Sequence, residues 1–342
     1  MFNKKTLVLI VTIVALAVVY FIFNNKNVST LNNNEKAFDF KSTEKIDKIF
    51  ITNKFSKEYV TLSKVNAKEW LVNNEHIGNI SQIEILLETL RKVRVKKPVS
   101  KKQLNQVIKN IALNGTKVEI YENNVLSKVF YVGNNTSNEM GTYFYMDKAA
   151  EPYICHIPGF NGFLNTRFYT DAKAWRSKTV FASTDVQIEN IQVKWHQNEE
   201  QSFEIKNSKG QIPQLIINGI ALENNKIVNL NKLKSYLKLW ENLAYEGFPI
   251  NLSDKQIDSI YNTPPLLTLS LTSAGKTTHL KIHKKGMFED TNIQFDRQGN
   301  PLEYDIENFY AFINNNNKEV VQIQDYVFGK VMKTNRDFLI KP

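Results

Sequence analysis

Beyond residue 37 the chain says the same thing twice, and that repetition limits its possible folds more than any other feature. IDKIFI at 46–51 returns as IENIQV at 188–193, an alternating strand pattern. A second short strand follows each, EWLV at 69–72 and SFEI at 202–205. Next comes an apolar series with one set of offsets: Ile83, Leu86, Leu87, Leu90, Val93, then Leu233, Tyr236, Leu237, Trp240, Leu243. This spacing predicts an amphipathic helix in each copy, packed on the neighbouring strands. Ser81 with Glu84 three residues on matches a capping box at the start of the first.

The correspondence continues in order. VSKKQLNQVI at 99–108 matches LSDKQIDSIY at 252–261, predicting a shorter helix begun by a serine cap. Hairpins follow, turning at Asn123-Asn124 and at Ala274-Gly275, with Val118 set on Leu269 and Tyr131 on Ile282. DKAAEP at 147–152 returns as DRQGNP at 296–301, and Phe160-x-x-Phe163-Leu164-Asn165 as Phe309-x-x-Phe312-Ile313-Asn314. The expectation is α+β: two tandem, duplicated α+β units, antiparallel sheets with packed amphipathic helices, at 38–168 and 181–342. The junction at 169–180 runs through Trp175-Arg176-Ser177-Lys178.

Ahead of the first unit, residues 7–23 are apolar with Thr12 the only strongly polar member, enough for about 25 Å of helix at roughly 1.5 Å per residue. Tyr20, Phe21 and Phe23 lead into Asn24 and Asn25 with no small-residue cleavage site, so the run reads as an uncleaved, single transmembrane helix. Lys4 and Lys5 set residues 1–6 as a cytoplasmic tail, residues 24–37 as a flexible stalk, and the body as periplasmic. The lipid bilayer is then one partner, and the cytoplasmic (inner) membrane the location.

Hydrophobic residues at 42% and aromatics at 11% of 342 residues argue for packed cores and against disorder. A single cysteine, Cys155, excludes an internal disulfide. The formal charge of +10 favours anionic partners, but without basic residues interleaved with aromatics it does not make a nucleic-acid groove.

One anchor followed by repeated units of I-x-x-I-x-I, a strand bearing Trp or Phe, an amphipathic helix and a hairpin resembles the bacterial domain-of-unknown-function family 4340 (DUF4340). The resemblance implies an envelope protein with repeats outside the cytoplasmic membrane. Relatives beside gliding-type ABC transporter components imply an accessory role. It assigns no active-site residue.

His279 and His283 share a strand face in TTHLKIHKK, as metal ligands can, but no patterned third ligand accompanies them, and Lys128 and Val132 stand in their places in the first copy. Cys155 and His156 are sequence neighbours that a strand sends to opposite faces. Cys155 aligns with Tyr304 and His156 with Asp305, which reads as packing. His76 and His196 stand apart, and the pairs Glu199-Glu200 and Glu289-Asp290 fall in turns. No catalytic, cofactor or metal residue is therefore expected. The aromatics Tyr143, Phe144, Tyr145, Tyr153, Phe160, Phe163, Phe168, Tyr169 and Trp175 suit a core between units or a surface that stacks on sugar rings. The leading expectation is a non-enzymatic, membrane-anchored envelope protein that binds protein partners. The alternative is a glycan- or peptidoglycan-binding module using the aromatic cluster.

Overall fold

A computed structural model describes residues 36–137, 141–224, 226–250, 252–287, 293–314 and 318–340. The chain divides into two compact units, Met1–Ser177 and Lys178–Pro342.

In the first unit, alternating apolar residues generate β1 (Ile46–Asn53), β2 (Tyr59–Asn66), β3 (Glu69–Val72) and β4 (His76–Ile77). Further along lie β5 (Arg94–Pro98), β6 (Thr116–Glu122), β7 (Val125–Asn135), β8 (Thr142–Met146) and β9 (Tyr153–His156). They form one sheet in the order β4-β3-β2-β1-β6-β7-β8-β9-β5, antiparallel throughout. Ile49, Ile51, Val60, Leu62, Trp70, Val118, Phe130 and Phe144 line its inner face, and Ile83, Leu86 and Leu90 of the helix Ile80–Lys92 pack into the same core. Burying each such side chain contributes about 1.5–3 kcal/mol. Phe38 and Phe40 join this core, held by the Lys128 amine, which donates to the carbonyl oxygens of Ala37 and Asp39. A second helix, Lys101–Asn114, sets Val107 and Ile111 in a separate small cluster with Tyr131, Tyr143, Tyr145 and Ile154. Its approach needs glycine at 133, where a Cβ would stand 2.7 Å from the Ile111 side chain.

The second unit contains β10 (Thr179–Phe181), β11 (Ile188–Trp195), β12 (Phe203–Lys206), β13 (Gln214–Ile217), β14 (Ile220–Ala221) and β15 (Leu243–Ala244). It continues with β16 (Leu267–Ser273), β17 (Lys276–Gly286), β18 (Tyr304–Ile313) and β19 (Val320–Gln324). Eight of these pair as β14-β13-β12-β11-β16-β17-β18-β19, repeating the first sheet's order strand for strand up to β9, while β10 pairs with β15. The helix Leu230–Leu237 buries Leu233, Tyr236 and Leu237 and tightens into a 3-10 turn ending at Trp240. The helix Asp254–Asn262 sets Ile257, Ile260 and Tyr261 against Tyr310, Phe312 and Val320.

Several expectations are corrected. The fold is mainly β, with 40% strand against 21% helix, because each unit commits its core to one large antiparallel sheet; the α+β assignment overstated the helices. No described helix is long and apolar enough to cross a membrane. The run at 7–23 lies outside the described residues, and so do the tail at 1–6 and most of the stalk at 24–37. The bilayer as partner and the single-pass inner-membrane placement are therefore withdrawn.

Within the repeat, EWLV is β3 whereas SFEI is β12, so the counterpart of EWLV is QLII of β13. A bulge between Ile120 and Tyr121 moves the first hairpin by one residue: Val132 pairs with Thr116 where Ile282 pairs with Leu267, so Val132, not Tyr131, corresponds to Ile282. The same shift puts Val129 and Gly133 in the places of His279 and His283. Phe309 and Phe312 lie in β18, whereas Phe160 and Phe163 follow β9, and the 147–152 turn follows β8 whereas 296–301 precedes β18. Cys155 consequently matches Ile323 rather than Tyr304, and both are fully buried. The first helix is capped by Asn79, whose side chain accepts from the Gln82 amide at 3.4 Å, rather than by Ser81.

Candidate binding edge in the first unit

Where they fall among the described residues, the histidine and cysteine pairs that invited a catalytic or metal reading are held in structural roles. His279 Nδ1 lies 2.8 Å from Ser270 Oγ, and His196 Nε2 lies 2.9 Å from Thr268 Oγ1. His283 is buried edge-on to the Phe312 ring, and neither ring nitrogen has a hydrogen-bond partner among the described residues. Burial, with Lys281 and His196 nearby, pushes its pKa down to about 4. Among the described residues no three His, Cys, Asp or Glu side chains gather as a metal site would require.

Cys155 lies in the core, where burial pushes its thiol well above the ordinary value, which disfavours the thiolate that a nucleophile needs. His156 follows it on the opposite strand face. His76 stands 3.7 Å from Glu75, and Glu199 stands 3.8 Å from Lys194. Glu289 and Asp290 lie outside the described residues. The buried pair Lys285–Asp305, 3.1 Å apart, is completed by donors from Gln294, Glu307 and Asn308, which accounts for it as a structural network.

The aromatic cluster divides. Phe144, Tyr153, Phe168 and Trp175 are core residues, and Trp175 stacks on Tyr169 at 4.2 Å between ring centroids. Tyr143 and Tyr145 pack with the helix Lys101–Asn114, and the Tyr145 hydroxyl donates to the Ala149 carbonyl at 2.8 Å. Phe160 is 38% exposed, with the Arg167 guanidinium 4.3 Å from its ring centre.

The most distinctive open surface lies elsewhere, along β5. This strand closes one end of the first sheet, pairing with β9 as Arg94↔His156, Val95↔Cys155, Lys97↔Ile154 and Pro98↔Tyr153. The register breaks between Val95 and Lys97, leaving Lys96 as the extra residue of a bulge, a device that re-aims a side chain. Lys96 lines two neighbouring cavities. One, of about 430 Å³, is formed with Lys97, Pro98, Ser100, Gln103 and Tyr143 among others; the second, of about 470 Å³, with His156, Asn161 and the rings of Phe160 and Phe163. Among the described residues no carboxylate lines either cavity. Arg94 is neutralised by Asp39 at 3.2 Å, but Lys96 and Lys97 have no ion-pair partner among the described residues. Two uncompensated ammonium groups between polar and aromatic walls suit an anionic ligand.

Sequence reasoning missed this site, though a signal was present: RKVRVKKPVSKK at 91–102 holds seven basic residues and no acidic one. A family model described as "Domain of unknown function (DUF4340)" matches residues 70–259, over half of the chain and all of this edge strand. No curated protein and no solved structure matches the chain.

Proposed function

The chain belongs to the domain-of-unknown-function family DUF4340, and from that premise, which supplies no chemistry, we propose that it is a non-catalytic module that binds a protein partner at the β5 edge. One observation carries the reading: the bulged Lys96 stands between two cavities that hold no carboxylate among the described residues, on a strand that ends its sheet. A transport assembly, implied by the family resemblance, is one candidate for the partner. A photo-crosslinking amino acid in place of Lys96, with Lys209 as an exposed control in the second unit, tests the proposal in cells. The expected result is one or a few adducts of defined mass from position 96 and none from 209. The same smear from both positions would overturn it.

A second reading, glycan binding, draws on Tyr143, which shares its cavity with Ser100, Gln103, Thr136 and Ser137. An aromatic face ringed by hydroxyl and amide groups suits a sugar. Retention on cell-wall material that vanishes in Tyr143→Ala would favour this reading over the first.

A further inference from the structure

The two units treat the same rim differently. In the second, residues 243–247 follow the first helix as β5 does in the first, and they are flanked on both sides. On one side the Glu246 amide donates to the Gln322 carbonyl and the Gln322 amide to the Gly247 carbonyl, both at 2.8 Å. On the other, β10 pairs with β15 as Thr179↔Ala244 and Phe181↔Leu243, and the Tyr245 amide donates to the Lys178 carbonyl at 2.9 Å. In the first unit β9 supplies the inner neighbour of β5. Among the described residues, no other backbone group bonds to Val95, Lys96 or Lys97. The fold thus has a strand position that its second copy fills and that, among the described residues, nothing fills beyond Arg94 in its first.

We propose that this position takes an extended acidic segment of a partner protein as an added strand, with its carboxylates on Lys96 and Lys97 and its other side chains in the two flanking cavities. The inference rests on the reading of β5 as a binding edge and adds the mode and the chemistry of the partner. Charge complementarity selects that occupant, since Lys101 and Lys102 extend the basic run and no acidic residue interrupts it between 89 and 118. A second copy of the same edge would bring like charges together and is disfavoured. Residues 95–98 offer about 13 Å of ladder at roughly 3.3 Å per residue, and Pro98 ends it for lack of an amide hydrogen. So short an addition gives modest, salt-sensitive affinity.

The test uses the full chain and fluorescent eight-residue peptides read by anisotropy. One peptide alternates Glu and Val, one alternates Lys and Val, and one is the Glu peptide N-methylated at alternate residues, which removes ladder donors and keeps the charge. Binding of the Glu peptide alone is expected, weakened about tenfold or more by K96E with K97E, the loss that one charge-assisted hydrogen bond can account for. Circular dichroism of the double variant checks that it is folded. Equal binding of the methylated peptide would overturn strand addition. So would binding to phosphatidylglycerol vesicles without binding to the Glu peptide, or failure of every peptide. A discrete adduct from position 96 alongside such a failure would leave the binding-module reading intact, which separates the two claims.

Discussion

His283 is kept neutral by its surroundings, and that sets a direction for the pH dependence of stability. In the folded chain the ring takes up its proton only near pH 4, while the unfolded chain does so near the ordinary value of 6.5. Between those values the unfolded state binds more protons, so this residue's contribution is intact above pH 6.5 and is lost as the pH falls through the window towards 4. The loss is on the order of 3 kcal/mol. His283→Leu, which keeps an apolar filling beside Phe312, should flatten that part of the profile. Urea midpoints at pH 7 and pH 4.5 would show it, and a variant with the wild-type slope would rule it out. At this scale the sequence was a partial guide. The sharing of one face by His279 and His283 was readable from strand periodicity, but the burial that separates their roles depends on Phe312, which only the sheet pairing brings beside His283. Lys96 was hidden differently, since its prominence comes from a bulge that no residue pattern announces.

The two outer helices differ at their starts. Ser253 forms a full capping box with Gln256 at the helix Asp254–Asn262, whereas Ser100 caps the helix Lys101–Asn114 without a side-chain bond to its backbone, its hydroxyl donating instead to Gln103 Oε1 at 3.0 Å. Ser253→Ala should therefore cost about 1 kcal/mol and Ser100→Ala a few tenths, a contrast measurable from denaturant midpoints with unchanged slopes. Equal losses would mean the cap geometry is not what holds these helices. Elements were the most legible level, because strand alternation, helical spacing and the Asn123-Asn124 turn, with both φ values positive, are written in consecutive residues. What failed were correspondences that depend on a partner strand. SFEI was matched to EWLV one strand out of place, and the bulge after Ile120 displaced the hairpin match by one position. The weight of helix against sheet also escaped, because a helix advertises itself over a dozen residues while short strands such as His76–Ile77 and Leu243–Ala244 do not.

Across the whole chain, the duplication was evident in sequence and the shared strand order is plain in the two sheets. The difference between the copies was not, because closure of the second rim comes from residues 178–181, which carry no special motif. That asymmetry has a further consequence. A row of amides without a partner among the described residues is safe in a crowded cell only while something keeps casual strands away, and on β5 two ammonium groups and a proline do so. Neutralising both, as in Lys96→Ala with Lys97→Thr, should turn a discriminating seam into a sticky one, open to identical molecules. The mark would be light scatter that climbs on standing in concentrated solution, with unfolding midpoints unmoved.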